Sequence, residues 1–486
     1  MDLVITLDRL SVIPLYQQLA EELRLAVLEK RLKPNQKLPP SRVLAKSLLI
    51  SRATVTQSYE QLMSEGYFEA RCGSGTFVCS RLPDEYLQPE SINRGRSQPS
   101  ELTMLSRFGK DLLAVNQLEV PEPQAEISFR FGSPNVEQFP IKLWRRLLAR
   151  HCQNSSTVLN YIPDAAGFMP LRIAIADYLG RSRAVRCNAE QVIIVNGSQQ
   201  ALDLIARLTI EPNDWIAVED PGYLGARHCF KGQGAQLQAI TVDSEGLDVE
   251  ALSQFRQPFK LLYVTPSHQF PTGVTLSLSR RLALLQWAQE TGTLILEDDY
   301  DSEYRYSERP IPALQGLDHS NNVIYVGTFS KILFPSLRIG YLVAPPAWIP
   351  VVSRAKWLCD RQSPTLEQYA LTDCIMEEHF ERHIRRMRCL YDRRRQVLVN
   401  ALQSYLGSRV TVLGENAGIH LMAKIETALP DEVVIQKAAI MGIGLTSAQG
   451  YYLATPKTGE FIFGYAQLDQ TQIEEGVQKL SQVLKE

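Results

Sequence analysis

The sequence predicts an α/β fold built on a mainly parallel, buried sheet, with a small helical unit ahead of it. Three observations carry this. Beyond Glu126, apolar runs such as QVIIVNG, DWIAVED, KLLYVTP, GTLILEDD and NVIYVGT alternate with helical stretches such as SQQALDLIARLTI and SRRLALLQWAQETG. Near-continuous apolar strands separated by helices belong to a sheet covered on both faces. Before residue 80 the apolar period is helical, in three short bursts. Between the two, from Arg81 to Gln124, Pro83, Pro89, Pro99, Pro121 and Pro123 are scattered among Ser, Asn, Gln and charges, which is linker composition. At 486 residues the chain exceeds what one core usually serves. The expected division is 1–80, a linker over 81–124 with one short helix near Glu101 to Phe108, and 125–486.

Composition narrows the function classes. With 45% hydrophobic and 21% charged residues and a net charge of -2, the chain has material for a large core and no surface that coats nucleic acid or membrane throughout. Its eight cysteines form no CxxC pair and no ligand grouping, so no zinc site and a reducing, cytoplasmic compartment are expected. The first residues lack a cationic segment before an apolar stretch, and no run approaches the ~18 apolar residues of a membrane span.

In the small unit, Leu15, Leu19, Leu23 and Val27 recur every fourth residue between Ile13 and Arg31, the stripe of an amphipathic helix. Lys33 to Pro39 interrupts it. A second helix restarts at Ser41 in PSRVLAKSLL. A third starts at Ser51 in SRATVTQSYEQLMSEG and stops at Gly66, with Val55, Tyr59 and Leu62 on one face and both serines as N-cap types. YFEAR and TFVC, joined by Cys72-Gly73-Ser74-Gly75, then read as two strands with a glycine turn. Three helices and such a hairpin make a winged helix-turn-helix.

That arrangement places the start of its recognition helix in the major groove of double-stranded DNA. Arg52 suits two parallel hydrogen bonds to guanine, and Arg42 a phosphate or adjacent base. The hydroxyls of Ser41, Ser51 and Thr54 suit phosphate, with Gly73 and Ser74 of the turn beside the backbone. Ten Lys/Arg against eight Asp/Glu over residues 1–80 give only weak electrostatic support. A helical unit for protein contacts, its serines acting as caps alone, is the competing reading. The stretch LPPSRVLAKSLLISRATVTQSYEQLMSEGYFEARCGSGTFV closely resembles the winged-helix domain of the GntR family of bacterial regulators, over Pro14 to Val78. The resemblance implies that Arg42, Arg52, Thr54 and Gly73 lie at operator DNA.

The large unit carries a second chemistry. Lys331 in GTFSKILFPSLRIG follows one apolar strand and Asp298 ends another, so both reach a sheet edge where α/β proteins bind ligands. Pyridoxal phosphate needs a lysine for its Schiff base, an acid at the ring nitrogen and a phosphate cradle. Asp298 supplies the acid, Tyr300 a partner for the ring hydroxyl, and Tyr223 a stacking face. Gly197, Ser198 and Gln199 open a helix whose N–H groups favour phosphate. Ser330 and Arg338 add a hydroxyl and a cation.

Four stretches, YIPDAAGFMPLRIAIADYL, VNGSQQAL, EDDYDSEYRY and GTFSKILFPSLRIG, closely resemble fold type I aminotransferases over Phe129 to Glu486. This implies a homodimer in which Tyr161 reaches the cofactor phosphate of the neighbouring subunit. With both halves combined, the chain resembles the MocR subfamily of GntR regulators. The resemblance implies a pyridoxal phosphate-dependent bacterial transcriptional regulator that senses the cofactor, an amine or an amino acid through Lys331, with partial transamination open to it but no steady-state turnover expected. The alternative is an active aminotransferase with an accessory DNA-binding domain.

Two departures from the enzymes weigh on that choice. Phe270 in PSHQFPTG stands where they carry Asn, leaving His268 or Gln269 as substitutes. EFIFGYAQL lacks the arginine that clamps a substrate carboxylate, which leaves a cation such as Arg227. The basic stretch Glu381 to Gln396 reads first as a solvated helix face and second as a supplementary DNA surface. His379 and His383, four apart, have no third ligand, so no metal is expected.

Overall fold

The computed structural model describes residues 5–9, 11, 13–71, 73–80, 82, 105–113, 125–153, 158–306 and 311–485. Most of the stretch expected as linker, including residues 101–104 of its short helix, lies outside these. The chain divides into two compact units, Met1–Thr103 and Met104–Glu486. No helix among the described residues is long and apolar enough to cross a membrane.

The small unit contains α1 (Leu15–Leu28), α2 (Ser41–Leu48), α3 (Arg52–Ser64) and an antiparallel hairpin of β1 (Phe68–Arg71) and β2 (Gly75–Val78). The every-fourth-residue stripe is what α1 buries: Leu19, Leu23 and Val27 pack with Leu44, Val55, Leu62, Phe68 and Val78. The Tyr59 ring meets Phe68 edge-on at 5.6 Å, and its hydroxyl donates to the Pro39 carbonyl at 2.9 Å. Ser51 caps α3 as expected, its Oγ accepting from Thr54 N–H at 3.0 Å. Ser41 does not cap α2. Pro40, held by its ring at φ -55°, takes the cap position and makes Ser41 the first helical residue.

The large unit is built on a mixed eight-stranded sheet. After β3 (Ile127–Ser128), its strands are β4 (Val192–Val195), β5 (Trp215–Asp220), β6 (Gln236–Asp243), β7 (Gly246–Leu247), β8 (Phe259–Val264), β9 (Leu294–Asp299), β10 (Val323–Thr328) and β11 (Gly340–Val343). The order is β4-β11-β10-β9-β8-β5-β6-β7, and β6-β5-β8-β9-β10 run parallel. All five strand-like runs singled out from sequence lie in this sheet. A second, antiparallel sheet joins β12 (Val410–Leu413), β13 (His420–Ile425), β15 (Thr446–Ser447) and β16 (Glu460–Gly464), while β14 (Ile443–Gly444) pairs with β3. Phe129, Leu421, Phe461 and Phe463 pack there with Leu398 and Leu402 from the long helix His379–Leu406.

The described helix near the expected linker runs Arg107–Leu113 and belongs to the large unit. Phe108 lies over Gly232 at the end of helix Leu224–Gly232, where a Cβ would come within 2.8 Å of the phenyl ring.

One buried ion pair ties the helix Met169–Arg183 to the sheet. Arg183 Nε donates to Asp299 Oδ2 at 2.8 Å, while its Nη atoms donate to Ser267 Oγ and the Ile311 carbonyl. Tyr325 donates to the same Asp299 oxygen at 2.6 Å. Removing one partner strands the other charge in the interior, so Asp299→Ala is expected to cost about 3–5 kcal/mol, read as a fall in the denaturant midpoint of the large unit.

Candidate functional site

The carboxyl ends of β9 and β10 open on a cavity of about 970 Å³. The two strands pair in parallel with Val326 opposite Asp298, which brings the Asp298 side chain and the turn after Thr328 to one edge. Tyr263, on β8, donates to Asp298 Oδ2 at 2.8 Å. The other oxygen, Oδ1, is buried and has no hydrogen-bond partner. Burial pushes the Asp298 carboxyl up to about 6, against the opposing pull of Tyr263 and Lys331. Lys331 follows the strand, and its ammonium donates to the Gly132 carbonyl. Ser330 Oγ is buried beside it without a partner.

The start of helix Ser198–Thr209 forms part of the wall. Gly197 precedes it at φ +86°, and a Cβ there would lie 2.7 Å from Arg338 Nη2, so only glycine admits the guanidinium this close. Arg338 Nη2 donates to the Asn196 carbonyl at 3.0 Å. First-turn N–H groups have no partner within their own helix, and Ser198 and Gln199 line the cavity.

Eight residues singled out from sequence thus line one cavity: Ser198, Gln199, Tyr223, Asp298, Tyr300, Ser330, Lys331 and Arg338. Gly197 stands just behind Arg338. Tyr161 is not brought to the cavity of its own chain; it is 71% exposed, with the Arg361 guanidinium 4.8 Å above its ring. Tyr223 sets its ring edge-on to Phe270 at 5.9 Å, and its hydroxyl reaches Gln199 at 3.4 Å.

Sequence reasoning missed Gly132, Tyr263, Thr328, Arg130 and His420, all in the lining. Tyr263 had a signal, being the one polar-tipped residue in the apolar run LLYV. Arg130 and His420 had none, because they come from distant segments.

The substitutes for the missing groups are corrected. Gln269 is spent on the Pro221 and Phe270 carbonyls at 2.8 and 2.6 Å, with Thr272 donating to its oxygen. His268 lies behind Tyr300. Arg227 is buried, donating to the Glu219 carbonyl and to Asp220, and does not line the cavity. Phe270 fills the position instead, its ring within 6.2 Å of those of Phe131, Tyr223, Tyr300, His420 and Tyr451.

The basic helix presents a solvated face, with Arg382, Arg385, Arg386, Arg388 and Arg393 exposed, and several of its arginines also brace neighbouring segments. Arg386, Arg388 and Arg394 donate to the carbonyls of Gln138, Glu303 and Ala466, and Arg395 pairs with Asp392. His383 meets the Ile332 carbonyl and His379 meets Glu377. The described residues instead bring His268, Asp301 and His420 together within 4.8 Å.

In the small unit, Arg42 and Arg52 stand exposed at the first turns of α2 and α3, and Arg52 Nε donates to Ser41 Oγ at 3.4 Å. Ser51 and Thr54 bond each other at 2.8 Å and serve the cap. Gly73 and Ser74 form the exposed hairpin turn, and Gly73, at φ +71°, has open space where a side chain would be.

Fold and site together define a class, an aminotransferase-type domain joined to a winged-helix DNA-binding unit. Residues 127–480 match the family described as Aminotransferase class I and II, and residues 15–78 match Bacterial regulatory proteins, gntR family. The chain is 39% identical over 478 residues to the "Probable rhizopine catabolism regulatory protein MocR" of Rhizobium meliloti, covering 98% of this chain and 95% of that protein. It is 30% identical to the HTH-type pyridoxine biosynthesis transcriptional regulator PdxR of Corynebacterium glutamicum, covering 96% of each. The chain belongs to the MocR subfamily of gntR-family regulators. Among solved structures it is similar to kynurenine aminotransferase of Pyrococcus horikoshii in complex with PMP, with TM-score 0.69, 29% identity and coverage of 80% of this chain and 97% of that one. It is similar also to LysN, the alpha-aminoadipate aminotransferase of Thermus thermophilus, complexed with N-(5'-phosphopyridoxyl)-L-leucine, with TM-score 0.70, 28% identity and coverage of 79% and 98%.

Proposed function

We propose that this chain is a DNA-binding transcriptional regulator whose large unit holds pyridoxal phosphate at Lys331 and changes its DNA affinity with the state of that site. The observation that carries the reading is the pair of buried polar atoms, Asp298 Oδ1 and Ser330 Oγ, left unsatisfied beside Lys331. Leaving such atoms unpaired costs about 1–3 kcal/mol each, and a ligand with a protonated ring nitrogen and a phosphate satisfies both. In this reading Asp298 holds the ring nitrogen, Tyr300 the ring hydroxyl and Tyr223 the ring face. Ser330, Arg338 and the N–H groups after Gly197 hold the phosphate. When bound, the cofactor supplies an electrophilic carbon and an electron-withdrawing ring.

The effector is the cofactor itself or an amine or amino acid that meets it. The absence of an arginine in β16 weighs against a carboxylate clamped as in transaminases. The chain acts as a homodimer, with exposed Tyr161 reaching the phosphate of a second copy. Two DNA-reading heads then require a paired half-site, and coupling requires that the two DNA-binding geometries differ in effector affinity. The lysine, aspartate and tyrosine set also keeps the enzyme reading alive.

The test is direct. Borohydride reduction after incubation with pyridoxal phosphate is expected to label the Lys331 peptide, and Lys331→Ala is expected to abolish both the label and any effect of the cofactor on affinity for the upstream DNA. An unlabelled peptide overturns the cofactor assignment. Turnover near ~10 s⁻¹ on an amino-acid and keto-acid panel makes the protein an enzyme.

A further inference from the structure

Tyr300 faces the cavity on one side and rests on a buried pair on the other. Its hydroxyl oxygen lies 3.0 Å from His268 Nδ1, and the same nitrogen lies 2.9 and 3.1 Å from the two oxygens of Asp301. Asp301 is fully buried, and its Oδ2 also accepts from Ile419 N–H at 3.3 Å. His268 Nε2 is buried and has no partner. The third titratable neighbour, His420, has its ring 4.8 Å away, and burial together with His268 holds its pKa well below the usual imidazole range. The chain is shaped around the pair. At Gly418, φ +77°, a Cβ would lie 2.0 Å from His268 Cε1 and 2.6 Å from Asp301 Oδ2.

Proton accounting fixes the direction of these bonds. A bare Nδ1 would set its lone pair against a carboxylate, so Nδ1 carries the hydrogen. That N–H is shared between Asp301 and the phenolic oxygen, which makes Tyr300 an acceptor from His268. Its own O–H is then left for the cavity. We propose that His268 and Asp301 are positioning residues that lock Tyr300 as a hydrogen-bond donor into the cofactor cavity. Burial and the nearby carboxylates raise the phenol's pKa, so the donor keeps its proton.

The consequence for a bound cofactor rests on the function proposed above. A donor on the ring oxygen competes for it with the proton on the Lys331 nitrogen, and so lowers the pH at which that proton leaves. Neutron diffraction of the deuterium-exchanged, cofactor-free chain is expected to show a deuteron on His268 Nδ1 and the Tyr300 O–D aimed into the cavity. A deuteron on Nε2, with Tyr300 O–D aimed at Nδ1, overturns the proposal whatever the cofactor does.

In protein loaded with pyridoxal phosphate, the pH midpoint of the visible band is expected to rise by about one unit in Tyr300→Phe and in His268→Phe. The two changes together should exceed neither alone, and His268→Asn, which keeps an N–H donor, should restore part of the shift. A folded His268→Phe protein with the wild-type midpoint overturns the proposal. Should the wild type take up no cofactor, the function proposed above fails, and the neutron result alone decides this one.

Discussion

Asp298→Asn is expected to raise the unfolding temperature of the cofactor-free protein at pH 7.5 while weakening pyridoxal phosphate capture tenfold or more, roughly the worth of one charge-assisted hydrogen bond. The carboxylate is buried with one oxygen unpaired, and its pKa stands at about 6 in the folded chain, against about 3.9 unfolded. Folding therefore carries a penalty of about 2–3 kcal/mol wherever Asp298 is charged in both states. The sign is definite. The penalty is full above pH 6, shrinks as pH falls and the folded carboxyl takes up its proton first, and vanishes below about pH 4. The amide does not titrate, so the variant's advantage should be largest at pH 7.5 and close near pH 4. An advantage that persists unchanged at pH 4 shows that burial of the charge is not its source. The site thus trades stability for affinity, as binding sites commonly do.

Arg52→Ala should lower affinity for the operator by ~10–100-fold, about 1–3 kcal/mol, and relax discrimination at one base position. Its guanidinium stands exposed at the first residue of α3, where a recognition helix reads base edges. Arg42→Ala should instead weaken specific and non-specific DNA alike and reduce the salt slope by about one. Fluorescence anisotropy on both kinds of DNA over a range of salt separates the two. Equal losses on both for Arg52→Ala would reduce it to a phosphate contact.

The parallel sheet was legible because its strands are buried on both faces and so read as unbroken apolar runs. Lys331 and Asp298 were legible for the same reason, since each follows such a run. What sequence hides is direction and distance. Arg227 looked available for a carboxylate, but nothing in EDPGYLGAR says that its helix turns that side chain back under β5. His268 looked like a substitute for the missing Asn, yet its partner Asp301 comes from a separate strand end, and the glycine that makes room for both lies at 418. The arginines of 381–396 read as a solvated face, and Arg382, Arg385, Arg386, Arg388 and Arg393 are exposed; hidden from sequence were the backbone carbonyls that several of them also reach and the burial of Arg394. Ser41 reads as a cap by residue type, but Pro40 ahead of it, fixed near helical φ by its ring, takes that position.

Phe108 and Leu112, on the helix Arg107–Leu113, belong to the lining of the cavity that contains Lys331. This helix belongs to the large unit but lies ahead of residues 127–480, which match the aminotransferase family, so the stretch before that match supplies part of the chamber wall. A molecule that fills that end of the chamber therefore meets side chains contributed from outside the aminotransferase match.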